Sequence, residues 1–176
     1  MKKHIVILDP FPRTLKLIFS KDKFKKLKLN YKLIYAPKMH KKNFYEKNIQ
    51  KASFIIGQPD LPKEILIKAK NLKAIINVES NFMNNMDYQY CFKKGIYVIA
   101  TSPVFSKPVA EIALGMTLSL LRNIHNAHLD FIKGKEKYGL ESNLKASLLS
   151  GKKIGLIGFG DLAKSLYPLL LPFTKD

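Results

Sequence analysis

From residue 4 to about residue 100, short apolar runs alternate with stretches of helical spacing. Residues 4–8 predict a strand, closed by the turn signal Asp9-Pro10-Phe11-Pro12. Residues 14–29 predict one helix, with Leu15, Ile18, Phe19 and Leu27 on its apolar side and lysines outside. Residues 31–36 predict a second strand, 44–49 a short helix, and 54–57 a third strand ended by Gln58-Pro59-Asp60. Pro62 suits the first turn of a helix reaching Ala69. Residues 73–78 predict a fourth strand, 87–93 a helix and 96–100 a fifth strand. These runs are apolar on both faces, as buried parallel strands are. Strands alternating with helices describe a doubly wound parallel sheet. Ligands of such sheets sit at the carboxyl ends of the strands, where Asp9, Gly57, Glu79 and Thr101 begin the loops.

A long apolar helix is predicted next, with Pro108 in its first turn and Ser106 as a candidate N-cap. One stripe runs through Val109, Ile112, Ala113, Met116, Leu120, Ile124 and Phe131. A second takes in Leu114, Leu118, Leu121 and Leu129. Two apolar sides require two partners, its own domain and a second domain or subunit. Residues 133–148 are polar and read as a connector.

The chemical signal lies after this connector. Residues 153–157 predict a strand that enters Gly158-Phe159-Gly160, and a helix opens at Asp161-Leu162-Ala163. This is the dinucleotide fingerprint in its required context. Gly158 permits the turn, Gly160 lets the backbone approach a pyrophosphate, and Ala163 allows close helix packing. The helix N-terminus offers free N–H groups to the phosphates. The cofactor-binding candidates are therefore Gly158, Phe159, Gly160, Asp161, Leu162 and Ala163. Pro168 should kink or shorten the helix.

Three segments resemble the D-isomer-specific 2-hydroxyacid dehydrogenases. Asn71-Leu72-Lys73-Ala74-Ile75-Ile76-Asn77-Val78 with Asn84-Asn85-Met86-Asp87 resembles the family's strand, substrate loop and helix start. Gly95-Ile96-Tyr97-Val98 with Val109-Ala110-Glu111 resembles its fifth strand and interdomain helix, and Gly151 to Ala163 its nucleotide turn. The resemblance implies an α/β protein with a flavodoxin-like substrate domain at 1–103. The start of a Rossmann NAD(P)-binding domain would follow at 104–176. It implies NAD or NADP as cofactor, a 2-hydroxy or 2-keto acid as substrate, and a homodimer through the helix at 108–131. The substrate loop falls on Ser80-Asn81-Phe82-Met83, with Ser80, Asn81 and Phe82 as substrate-binding candidates. Phe82 narrows the space there, and Glu79 puts a negative charge beside an anion site. The family's catalytic arginine, histidine and carboxylate would fall past Asp176. The resemblance thus implies an N-terminal piece, inactive alone, with no catalytic residue of its own.

Composition bears on the alternatives. The 176 residues carry 31 lysines and arginines against 13 acids, a net charge of +18. Only Arg13 and Arg122 are arginines, and residues 1–50 hold 14 bases against 3 acids. Nucleic-acid readers lean on arginine for bidentate contacts. The lysines are accordingly read as a solvated surface, with a basic anion- or nucleic-acid-binding module as one alternative and a dinucleotide-sensing, corepressor-like dimer as another. No apolar run approaches the ~20 residues of a membrane span, and the first residues lack a signal-peptide core. With the single Cys91, this predicts a cytoplasmic protein without disulfides or a membrane partner. His125 and His128 have metal-ligand spacing but no third ligand, so no metal is expected. His4, His40 and Cys91 are read as structural, Asp9 as a turn former and Arg122 as an interface residue.

Overall fold

A computed structural model describes residues 3–174, which divide into two compact units, the first ending at Thr101 and the second beginning at Ser102. The first unit is built on five parallel strands: β1 (Ile5–Asp9), β2 (Lys32–Tyr35), β3 (Phe54–Gly57), β4 (Ala74–Ile76) and β5 (Tyr97–Ile99). Their order in the sheet is β2-β1-β3-β4-β5, the flavodoxin-like arrangement. Register pairs Val6 with Leu33 on one side and with Phe54 on the other, and Ile75 with both Ile55 and Val98.

Period-two alternation sorts the strand side chains onto two faces. Ile7, Ile55 and Ile75 point to a core with Tyr45, Ile49, Leu61, Leu66, Met86 and Cys91. Val6, Leu8, Ile56 and Val78 point to a second core with Leu15, Ile18, Phe24 and Leu27. Helices cover both faces, so the doubly wound prediction holds.

Several local expectations are corrected. The single helix expected at 14–29 is two, α1 (Leu15–Ile18) and α2 (Lys21–Asn30). Phe19, in an extended conformation, ends the first, and Ser20 caps the second, its hydroxyl accepting from the Lys23 amide at 3.4 Å. Local hydrogen bonding by a serine side chain competes with helix continuation. The helix expected at 44–49 is α3 (Lys41–Asn48) followed by a 3₁₀ turn, Ile49–Lys51. The helix after Pro62 is only α4 (Lys63–Leu66). By contrast α5 (Tyr88–Lys93) starts where expected, because the Asp87 carboxylate accepts from the Tyr90 amide at 2.8 Å.

In the second unit, the long helix begins six residues before Pro108, as α6 (Ser102–Leu121). Ser106 is therefore not an N-cap. It lies buried inside the helix and donates to the Pro103 carbonyl at 3.0 Å. The helix also ends early. Asn123 takes a left-handed conformation, φ 55°, and α7 (Ile124–Ile132) restarts after it. Asparagine tolerates that region better than most residues. Residues 133–148 include a short helix, α8 (Gly139–Asn143). A further correction concerns membrane-span length: α6 has 20 residues and is long and apolar enough, by length and composition only, to cross a bilayer.

The strand expected at 153–157 does not form. Among the described residues no neighbouring strand pairs with it, and a lone strand leaves its backbone groups to solvent. The helix behind it forms as α9 (Asp161–Leu170) and packs against α6. It runs through Pro168, whose missing amide falls near the helix end.

Candidate functional site

At the carboxyl edge of the sheet, Asp9, Gly57 and Asn77 lie abreast, at the ends of β1, β3 and β4. Asp9 is almost wholly buried. A buried carboxylate needs both charge and hydrogen-bond compensation, and α3 supplies it. Lys41 Nζ donates to Oδ1 at 2.6 Å and the Tyr45 hydroxyl donates to Oδ2 at 3.0 Å. Burial, and then the adjacent Asp9 charge, raise the pKa of Tyr45 well above the usual phenol range. Tyr45 therefore stays a donor. Gly57 is required by space: a Cβ there would fall 2.3 Å from the Asp9 carbonyl oxygen.

The loop after β4 is held by the loop after β1. Arg13 grips Glu79 in a two-point fork, Nε to Oε1 at 3.0 Å and Nη2 to Oε2 at 3.1 Å, and Nε also donates to the Val78 carbonyl at 3.2 Å. The Glu79 charge is thereby neutralised. Beyond it, Ser80 is half-buried, while Asn81, Phe82 and Met83 are exposed. Phe82 stacks edge-on against Tyr88, ring centroids 5.3 Å apart, so it leans along the loop. Tyr88 closes the loop by donating to the Met83 carbonyl at 2.6 Å. Its pKa is raised, chiefly by burial and then by Cys91, against a lowering by that carbonyl contact. The far end of the loop is pinned where the Leu61 amide donates to Asn85 O at 2.7 Å.

Three polar side chains at this edge have buried atoms without a protein partner. They are Gln58 Oε1 after β3, both amide atoms of Asn77 after β4, and Thr101 Oγ1 after β5. Asn77 is fully buried. Such orphans mark a place where a ligand or water completes the bonding. Sequence reasoning passed over Asn77, Gln58, Lys41, Tyr45 and the pairing of Arg13. Asparagine in an otherwise apolar strand run was the signal available for Asn77.

In the second unit, Gly158 has φ 89°, a conformation that glycine alone adopts without strain. Gly160 then caps α9. A Cβ at either glycine would meet nothing within 4 Å, so the space before the helix is open. The first-turn amides of α9 and this open turn fit a pyrophosphate group. Asp161 does not face that space freely, because its Oδ2 accepts from Ser102 Oγ at 2.9 Å. Phe159 is exposed and packs on Tyr167, with centroids 6.0 Å apart. Leu162 is exposed and Ala163 half-buried.

Other candidates are structural in place. Cys91 is buried in the first core, and burial with the Asp87 charge pushes its thiol up to about 11. His4 Nδ1 lies 3.0 Å from Ser53 Oγ. His40 sits left-handed at the start of α3. His125, His128 and Arg122 are exposed. Among the described residues no three His, Cys, Asp or Glu side chains gather as a metal site needs.

Residues 5–150 match the family model described as D-isomer specific 2-hydroxyacid dehydrogenase, catalytic domain. A hydroxypyruvate reductase of Thermotoga maritima is 34% identical over 110 residues, covering 62% of this chain and 35% of that protein. The crystal structure of a phosphoglycerate oxidoreductase from Rhizobium etli matches at TM-score 0.67 with 42% identity, over 97% of this chain and 53% of that one. An NAD-dependent formate dehydrogenase from Staphylococcus aureus, in complex with NAD, matches at TM-score 0.65 with 26% identity, over 97% of this chain and 54% of that one. The chain therefore spans about half the length of these structures and about a third of the Thermotoga protein.

Proposed function

The chain belongs to the D-isomer specific 2-hydroxyacid dehydrogenase family, and from that premise we propose that it serves NAD(P)-dependent interconversion of a D-2-hydroxy acid and its 2-keto acid. The observation that carries the reading is the Gly158–Gly160 turn. Gly158 has a positive φ, Gly160 caps α9, and open space lies before that helix. The first-turn amides of α9 orient the dinucleotide phosphates. When bound, the nicotinamide supplies or accepts the hydride. On the first unit, the loop amides of Ser80, Asn81 and Phe82 receive the substrate carboxylate. Arg13 cancels the Glu79 charge that would repel it. The orphaned amide of Asn77 is a spare polar contact beside them.

The chain by itself performs no hydride transfer, because the family's arginine, histidine and carboxylate have no counterparts in its motifs. It works in the cytoplasm as a homodimer, with neither membrane nor nucleic acid as partner. Apolar residues left exposed on α6, Ile112, Met116 and Leu120, form the dimer face. That face is also why α6 is apolar enough to pass for a membrane span.

Titration with NADH and NADPH, read by nicotinamide fluorescence, tests the reading. Weak binding that Gly158→Val abolishes is expected, with no turnover of a 2-keto acid panel. Turnover lost on Gly160→Val would overturn the inactive state. Binding indifferent to both glycine variants would remove the nucleotide assignment.

A further inference from the structure

The opposite edge of the sheet carries a feature that the dehydrogenase reading does not use. All five strands are parallel, so all start at this edge. A depression of about 890 Å³ opens there, lined by Lys3, Lys51, Lys70 and Lys73 with His4 and Ser53. Backbone bonds hold the strand starts together: the Ser53 amide donates to Ile5 O and the Lys73 amide to Ser53 O, each at 2.8 Å. The two turns carrying Lys51 and Lys70 are joined where Asn71 Nδ2 donates to Gln50 O at 2.8 Å. His4 Nδ1 and Ser53 Oγ, 3.0 Å apart, contribute polar atoms, and Ser53 is buried.

No carboxylate lines the depression, and among the described residues none of its four lysines is in an ion pair. The carboxyl edge differs: there Arg13 and Lys41 each face an acid. Four like charges around one concavity repel each other and focus a positive potential that an anion relieves. We propose that this depression is a binding site for a small polyphosphate anion. Ammonium groups suit phosphate as point charges and need no planar fork. The lysines come from three separate segments around a hollow, Lys3, Lys51 and the turn carrying Lys70 and Lys73, which fits a compact anion better than an extended strand. Among its lining residues the one ring is the His4 imidazole, already set edge-on to Phe54 and against Ser53 Oγ, and no Phe, Tyr or Trp lines it to stack a base. The proposal is independent of the dehydrogenase reading, since none of its residues belongs to the glycine turn or to residues 80–83.

Titration of the whole chain with sodium tripolyphosphate, followed by calorimetry and by amide shifts, is the test. The Ser53 and Lys73 amides should move. The exposed double variant K70Q/K73Q should lose at least roughly ten-fold in affinity, the scale of one charge-assisted hydrogen bond. The charge-matched control K21Q/K25Q, on α2, should bind like the wild type. Equal weakening in both variants would reduce the effect to net charge and overturn the site. So would an absence of binding, or tighter binding of a short single-stranded DNA with a steep salt dependence.

Discussion

Ile75 and Ile157 each sit in an apolar run that precedes a loop, yet Ile75 is fully buried and Ile157 fully exposed. Ile75 has a strand on each side, pairing with Ile55 and Val98. Residues 153–157 have none among the described residues. The same contrast runs through the two units. Nearly all the buried apolar side chains belong to the first, while the second buries Ala110, Leu149 and Leu170. An apolar run states a preference for burial. Only ladder partners and covering helices realise it.

Substitution at those two isoleucines is the sharpest test. Ile75→Ala should cost about 2–5 kcal/mol, the range for a buried isoleucine cut to alanine. Ile157→Ala should fall within about 0.5 kcal/mol, as surface changes do. Urea unfolding followed by circular dichroism gives both values. Similar losses at the two sites would mean that 153–157 is buried in solution, and the contrast would fail.

Two aspartates extend the comparison. Asp9 is buried and takes bonds from Lys41 and Tyr45, whereas Asp161 takes one from Ser102 in a half-buried place. Asp9→Asn leaves Lys41 without its charge partner and should cost about 2–3 kcal/mol, less than a fully buried pair because Lys41 is partly exposed. Asp161→Asn should cost under about 1 kcal/mol, one modest hydrogen bond. The same denaturation measurement separates them, and a reversed order would break the picture of a tightly held carboxyl edge.

How much of this was legible follows the same physics. The five strands of the first unit were readable because each run is short, apolar on both faces and bounded by turn residues such as Gln58-Pro59-Asp60. The start of α5 was readable because Asp87 caps it through its own side chain. The break at Asn123 was not, because the apolar stripe continues across it from Leu120 to Ile124 and periodicity does not report one left-handed residue. Ser106 looked like a cap because Pro108 follows it, but α6 had already begun at Ser102. The glycine turn of the second unit and, in the first, the segment Ser80-Asn81-Phe82-Met83 were visible as motifs. The Asp9–Lys41–Tyr45 cluster and the Arg13–Glu79 fork join residues 32 to 66 positions apart. Such pairs appear only when the sheet places the strand ends together.

Exposure of α6 gives a smaller effect. Leu118 is half-buried and Leu120 exposed, so one stripe packs within the unit and the other faces outward. Leu120→Glu should raise the dimer dissociation constant by at least roughly ten-fold, about 1.4 kcal/mol, while leaving the circular dichroism unchanged. Sedimentation velocity at several concentrations reads this. A wild-type chain that stays monomeric throughout would remove the outward face as a dimer surface.

The smallest effect is in alkali, and it distinguishes the units because its sources lie in the first. Burial, helped by Asp87, raises the Cys91 thiol from 9.0 to about 11, and burial with Asp9 raises Tyr45 further. Both groups are neutral when protonated, and the folded state favours that form. Near neutral pH both are protonated whether folded or not, so neither changes stability there. Above about pH 9 the unfolded chain gives up the Cys91 proton while the native chain keeps it. The native state then binds more protons, and stability falls as pH rises toward 11. The net charge works in the opposite direction. Raising pH toward the isoelectric point near 9.9 relieves repulsion among the lysines. The wild-type slope alone therefore mixes two signs. Cys91→Ala separates them, because it deletes the thiol and leaves the lysines in place. Between about pH 8 and 10, a unit either side of the thiol's ordinary value of 9.0, the variant should lose less stability than the wild type. Equal losses would show that the Cys91 thiol ionises as readily in the folded chain as in the unfolded one, contrary to its burial against Ile96 and Met86 in the first core.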